Sequence, residues 1–172
     1  MAAPLILIWL FDSIWFLLPA FISNGIPTLA GGGRPIDGGR TLSDGKRIFG
    51  DGKTLRGFMA GLAAGLIVGL AQTFFEPNIL EGLFRGGIQA LGGLIGDLMG
   101  SFIKRRLGVK NLLVLDQLGF LLVAILLTVP IFGLPSGVEF IPFLGVTIPF
   151  TFIAHMILNI FSYSQGLQKQ PL

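Results

Sequence analysis

Long apolar runs, broken at intervals by glycine and charge, set the outline of this chain. A helix needs about 20 apolar residues to cross the hydrocarbon core of a bilayer. The intervals between charges give five candidate spans on that scale. The first runs from Pro4 to Ile22, interrupted only by Asp12, and the second lies between Arg56 and Glu76 without any charge. The third, between Arg85 and Lys104, is rich in glycine and contains Asp97. The fourth begins near Asp116 and ends around the turn from Pro130 to Pro135; the fifth runs from Ile141 to Tyr163. The pattern predicts an all-α, polytopic membrane protein with one transmembrane domain over residues 1–172 and loops at 23–56 and 104–111. The first span reads as a retained helix: its apolar stretch is long, no basic residue precedes it, and it lacks a clear small-residue cleavage site.

Composition agrees with the pattern. Of 172 residues, 52% are hydrophobic and only 12% charged, about half the charge of a soluble domain. There is no cysteine, which excludes disulfides and thiolate chemistry. The net charge of +3 hides a strong polarity. Arg34, Arg40, Lys46, Arg47, Lys53 and Arg56 fall in the first loop, Lys104, Arg105, Arg106 and Lys110 in the third connection, and Lys169 in the tail, leaving Arg85 alone on the opposite side. Because Lys and Arg accumulate in cytoplasmic loops, the expected location is the cell membrane, multi-pass, with the N-terminus outside and both basic loops in the cytoplasm.

Glycine is periodic within the spans. Gly57, Gly61, Gly65 and Gly69 recur at every fourth residue of the second, and Gly92, Gly96 and Gly100 do so in the third. Such ridges let helix backbones approach closely in lipid, so they predict a tightly packed bundle and carry no chemistry.

Candidate chemistry begins at Asp97, since a carboxylate in a span costs at least about 2.5–3.5 kcal/mol unless paired or wetted. Ser101 and Lys104 share its helix face at i+4 and i+7, and Asp116 lies just beyond the same basic loop. Two carboxylates at one depth with cations between them suit a magnesium–polyphosphate complex; they equally suit a structural ion pair with a nearby base. The first loop holds GGGRPIDGGR at residues 31–40, then Asp44-Gly45-Lys46 repeated as Asp51-Gly52-Lys53. Its Gly52-Lys53-Thr54 is not the end of a P-loop, because Arg47 stands where the earlier glycine is needed. Glycines and cations suit a polyanion. The aspartates, including Asp37, Asp44 and Asp51, are out of place in a purely lipid-seeking basic segment and suit a site that holds a metal or a ribose. In the last span Thr151, His155, Asn159 and Tyr163 form one polar stripe, which must face protein in a bilayer. From the residues alone His155 reads as an interhelical hydrogen-bond former.

The run GDLMGSFIKRR resembles the Ser-x-x-Lys-Arg start of the signature of CTP:phosphatidate cytidylyltransferases, and residues 24–57, NGIPTLAGGGRPIDGGRTLSDGKRIFGDGKTLRG, resemble the long first cytoplasmic loop of the archaeal branch, the CDP-archaeol synthases. The likeness extends from about Asn24 to the C-terminal tail. It departs at Asp116-Gln117-Leu118-Gly119, where the larger enzymes carry a second carboxylate. The resemblance implies Mg-assisted transfer of a cytidylyl group from CTP to an isoprenoid glycerol-phosphate lipid, 2,3-di-O-geranylgeranylglycerol 1-phosphate, with release of pyrophosphate. It implies Asp97 and Asp116 as ligands of Mg2+, Lys104 and Arg105 on the phosphates, and Ser101 as a polar contact. It further implies Lys46, Arg47, Lys53 and Thr54 on the nucleotide's phosphates or in the loop that closes on them, Asp44 or Asp51 toward the ribose or metal, and His155 with Asn159 near the lipid phosphate. Partners are then CTP, the lipid and the bilayer, with no nucleic acid and an undetermined oligomeric state. The rival from another class is a small transporter or channel subunit, whose carboxylates should cluster at the midplane between repeated halves.

Overall fold

The computed structural model describes residues 2–75, 78–109 and 112–164, without side-chain placement for 2–4, 113, 114, 116, 158, 159 and 161–164. Among the described residues five α-helices follow one another: α1 (Ala2–Ala30), α2 (Leu55–Gln72), α3 (Ile79–Leu107), α4 (Leu113–Phe132) and α5 (Phe140–Ser164), with a 3-10 turn at Thr73–Phe75. The chain is an all-helical membrane protein. Leu5–Ala30, Leu55–Phe75 and Phe140–Ile157 are each long and apolar enough to cross a bilayer, and Gln117–Phe132 is a shorter apolar helix. At 29 residues α3 has the length, roughly 43 Å at the helical rise, but glycines and internal charge dilute its apolarity. Large apolar side chains face outward, as with Ile67 at 66% and Leu126 at 69% exposure, while Ser23, Gln89 and Thr128 are fully buried. That inversion relative to a soluble core is what a lipid solvent allows.

Helix ends depart from the apolar pattern in three places, one of them the start of α3, which lies at Ile79 and leaves Arg85 buried within the helix and not beyond its end. α1 continues eight residues past Ile22, through Pro27 to Ala30, so the first loop spans 31–54 and not 23–56. The extension is held by packing: a methyl built on Gly57 or Gly61 would lie 3.3 or 3.2 Å from the Pro27 ring, and a proline is tolerated inside a membrane helix supported by its neighbours. The second basic loop is also shorter than 104–111, because Lys104, Arg105 and Arg106 form the last turn of α3, where cations complement the helix dipole. Gly108 ends that helix with φ of 73°, its N–H donating to Arg105 O, while Val109 N–H reaches Lys104 O.

The residues pack as two compact units, Phe16–Gly133 and the pair of segments Met1–Trp15 and Leu134–Leu172. In the first, Gly57, Gly61, Gly65 and Gly69 are all buried. Their ridge meets α1 at Pro19, Ser23 and Pro27 and α3 at Gly82, Gly86, Ala90 and Leu94. A methyl on Gly69 would come within 2.7 Å of Gly86 Cα. The other α3 ridge faces α4: Gly92 abuts Ala124, Gly96 abuts Gly119 and Phe120, and Gly100 lies against Leu115. Thus α3 has two glycine edges, of which only the α4-facing one follows from the expected repeat. Ser23 Oγ ties α1 to α3 by donating to Ala90 O at 3.3 Å as well as to Ala20 O. In the second unit Thr147 and Thr151 turn their hydroxyls back onto α5, to Phe143 O and Thr147 O. Thr151 is fully buried and His155 half-buried.

Candidate active site

The loop at residues 31–54 is built as two nested turns, each closed by backbone hydrogen bonds. The outer pairs Ile36 N–H with Lys53 O (2.8 Å) and Leu55 N–H with Arg34 O; the inner pairs Leu42 N–H with Lys46 O and Ile48 N–H with Arg40 O. Its organiser is Asp37. One carboxylate oxygen accepts from Gly39 N–H and from the Arg47 guanidinium at 2.6 Å; the other accepts from Arg47 Nε and from the N–H groups of Phe49 and Gly50. The Arg47 guanidinium, followed by those backbone donors, holds the Asp37 carboxyl far below the ordinary carboxylate range, against the opposing effect of burial. Arg47 is held from a second side by Asp51 at 2.7 Å, and its pKa is raised in turn, chiefly by Asp37.

The folded loop is fixed to the last turns of α3. Arg106 donates to Asp44 Oδ1 and to the carbonyls of Lys46 and Arg47, while its guanidinium lies 5.2 Å from the centre of the Phe102 ring. Lys46 Nζ answers by donating to Arg106 O at 3.0 Å. The Lys46 N–H first, and Arg106 after it, lower the pKa of Asp44. Arg105 Nε reaches Phe49 O at 3.5 Å, and its guanidinium covers Gly50 so closely that a methyl there would lie 2.7 Å from it. Gly50 has φ of 99°, so this position needs glycine's backbone, and any side chain there would displace the Arg105 guanidinium.

One junction differs in kind. Lys53 Nζ donates to both oxygens of Asp97, at 2.6 and 2.5 Å, joining the end of the loop to the middle of the last α3 turns. Both side chains are about a third exposed, because they border a small open cleft. Its lining includes the polar Lys53, Thr54 and Asp97 and the apolar Pro27, Phe58 and Leu98. Thr54 is also the N-cap of α2, its Oγ1 accepting from Gly57 N–H at 3.1 Å.

Of the residues singled out in the sequence, Asp97, Lys53 and Thr54 therefore line the cleft together. Asp44, Lys46, Arg47 and Asp51 build and anchor the loop behind it. Ser101 is buried one turn beyond Asp97, and Lys104 is half-buried on the last turn of α3. Asp116 belongs to α4 and Asn159 to α5, but their side chains lie outside the described residues. His155 is in the other unit. Sequence reasoning assigned no role to Arg106, and it read Asp37 as one loop aspartate among several. The signal for Asp37 was its place as the only acid in GGGRPIDGGR; Arg106 offered none beyond its charge.

Comparison with known proteins gives this arrangement a context. The family described as CarS-like, CDP-archaeol synthase, matches residues 5–172. The chain belongs to the CDP-archaeol synthase family. It is 44% identical to the CDP-archaeol synthase of Thermococcus kodakarensis over 169 residues, covering 94% of this chain and 96% of that protein. It is 40% identical to that of Methanopyrus kandleri over 162 residues, covering 92% and 91%. A solved structure described as an intramembrane enzyme for archaeal membrane lipids biosynthesis superposes with a TM-score of 0.78 at 37% identity, covering 88% of this chain and 94% of the other. For this member of the CDP-archaeol synthase family, the anchored loop and the Lys53–Asp97 cleft are features of its own residues.

Proposed function

We propose that the cleft between the first loop and α3 is where CTP and a lipid phosphate meet, and that α3 and the loop carry the groups that serve the transfer. By family the protein is a CTP-dependent cytidylyltransferase of archaeal lipid synthesis. The observation that supports this site is the cleft's mixed lining: charged Lys53 and Asp97 are joined there by apolar Pro27, Phe58 and Leu98, which suits a molecule with an anionic head and an isoprenoid body. We take that molecule to be 2,3-di-O-geranylgeranylglycerol 1-phosphate. The five helices are read as five spans, with the N-terminus outside and the loop in the cytoplasm, in keeping with the distribution of Lys and Arg.

In the reaction an oxygen of the lipid phosphate attacks the α-phosphorus of CTP, the bond to the β-phosphate breaks, and pyrophosphate departs with its electron pair. The nucleophile is already ionised near neutral pH, so the chain need not supply a general base, and its work is positioning and charge neutralisation. Lys53, Lys104 and Arg105 supply positive charge to phosphate oxygens. Asp37 and Arg106 keep the loop backbone in register so that Lys53 and Arg105 stand at fixed places. Asp97 is the described carboxylate able to hold Mg2+, with Asp116 as the second. Such an ion would take one or two carboxylates and complete its shell with substrate phosphates and water. Mg2+, when bound, neutralises the charge that develops on the transferring phosphate and the departing pyrophosphate.

Asp97→Asn tests the assignment, because it keeps volume and removes charge. Purified variant in detergent should keep a cooperative melt while losing most cytidylyl transfer at every magnesium concentration. A variant that melts lower yet keeps full activity per folded molecule would show that Asp97 serves only the ion pair.

A further inference from the structure

Lys53 holds Asp97 by the two oxygens that a metal ion would use, at 2.6 and 2.5 Å. Its backbone is fixed from both sides: its carbonyl accepts from Ile36 N–H at 2.8 Å and its N–H donates to Gly50 O at 3.2 Å. Movement is therefore left to the flexible four-carbon stem, and the side chain borders the cleft with 28% exposure. The other anchored cations are built differently. Arg47 is gripped between Asp37 and Asp51, and Arg106 is spread over one carboxylate and two carbonyls. Neither could leave without dismantling the loop. Lys53 can leave Asp97 and keep the loop intact.

We propose that Lys53 is an exchangeable stand-in for the divalent cation on Asp97, so that metal and nucleotide enter by a coupled swap: the polyphosphate draws the Lys53 ammonium off, and the freed carboxylate takes the ion that accompanies the polyphosphate. This rests on the cytidylyl-transfer reading of the cleft. The swap has a physical logic. A carboxylate or an ammonium left unpaired in a partly buried site is penalised; in the exchange Asp97 passes from one cation to another while Lys53 passes from one anion to another. Coupling of this kind is reciprocal, so each ligand must raise the other's affinity by one common factor. Asp97 thereby discriminates against free divalent ions and admits the nucleotide-bound ion.

The test uses the full chain in detergent, with Mn2+ as the probe, free ion counted by electron paramagnetic resonance, and CTP binding measured by equilibrium dialysis. In wild type, CTP should tighten Mn2+ binding, and Mn2+ should tighten CTP binding, by the same factor of at least about five. Lys53→Met should tighten Mn2+ binding without CTP by about fivefold or more, and weaken CTP, with the coupling factor falling below that of wild type to what direct contact between ion and phosphate supplies. Unchanged or weaker Mn2+ binding by folded Lys53→Met without CTP overturns the proposal. Lys53→Arg keeps the charge and decides the matter should Lys53→Met not fold: a guanidinium fork grips the carboxylate harder, so Mn2+ affinity with CTP present should drop by about fivefold or more, and no drop overturns the proposal. Failure of the underlying nucleotide reading looks different. Wild type would then bind no CTP with or without Mn2+, and the swap would fall with it; a chain that binds CTP but shows no gain in Lys53→Met defeats the swap alone.

Discussion

Asp37 carries more of the loop than any other single side chain, because its two oxygens collect the Arg47 guanidinium and three backbone N–H groups. Removing its charge should release Phe49 and Gly50, and with them the backbone against which Arg105 rests. Asp37→Asn should therefore lower cytidylyl transfer by about 10–100-fold, the usual scale for partners that orient a site, and expose Arg40 and Lys46 to trypsin. Unchanged activity and cleavage would remove Asp37 from the account. The same carboxyl fixes a pH dependence. Its folded pKa lies below its unfolded value, so its contribution is complete above the unfolded value of about 3.9 and is lost as pH falls from there through the folded one. Melting temperature in detergent should decline below about pH 4, and the decline attributable to this group should vanish in Asp37→Asn. Asp97 was legible from sequence because a charge among apolar residues demands a reason. Asp37 was not, since its meaning comes from partners 10 to 13 residues away that only the folded loop assembles.

Helices were legible where lipid alone dictates them and illegible where a neighbour decides. The apolar runs placed all five, yet α1 ran on to Ala30 because Pro27 buttresses Gly57 and Gly61, a contact that has no periodic signature. The glycine repeat of α2 was plain, whereas the α3 edge at Gly82 and Gly86 was hidden by wider surroundings that include Arg85. Packing predicts a graded response to added methyl groups. Gly69→Ala, which meets Gly86 backbone at 2.7 Å, and Gly92→Ala, which meets Ala124 Cα at 2.7 Å, should each destabilise by about 1–3 kcal/mol. Gly25→Ala, inside α1 with nothing within 4 Å, should not lower the melt. Equal melting temperatures for all three would show that the ridges are not close contacts.

The molecule as a whole is a small helical membrane enzyme whose proposed site lies where a loop folds back onto one helix. The orientation expected from its charges, with the first loop in the cytoplasm, is open to direct test because the chain has no cysteine of its own. A single cysteine at Ser43, on the exposed inner turn, should be labelled by an impermeant maleimide only after the membrane is opened; labelling in intact cells would place the loop and the cleft on the wrong side. The central claim, cytidylyl transfer from CTP to an isoprenoid glycerol phosphate, is tested most directly in proteoliposomes containing 2,3-di-O-geranylgeranylglycerol 1-phosphate, offered each of the four ribonucleoside triphosphates in turn with Mg2+. The account predicts that wild type consumes CTP far faster than the other three, forming the CDP-lipid and one pyrophosphate per turnover, while folded Asp97→Asn forms neither. Consumption of all four nucleotides alike, or none of CTP with the lipid present, would contradict it.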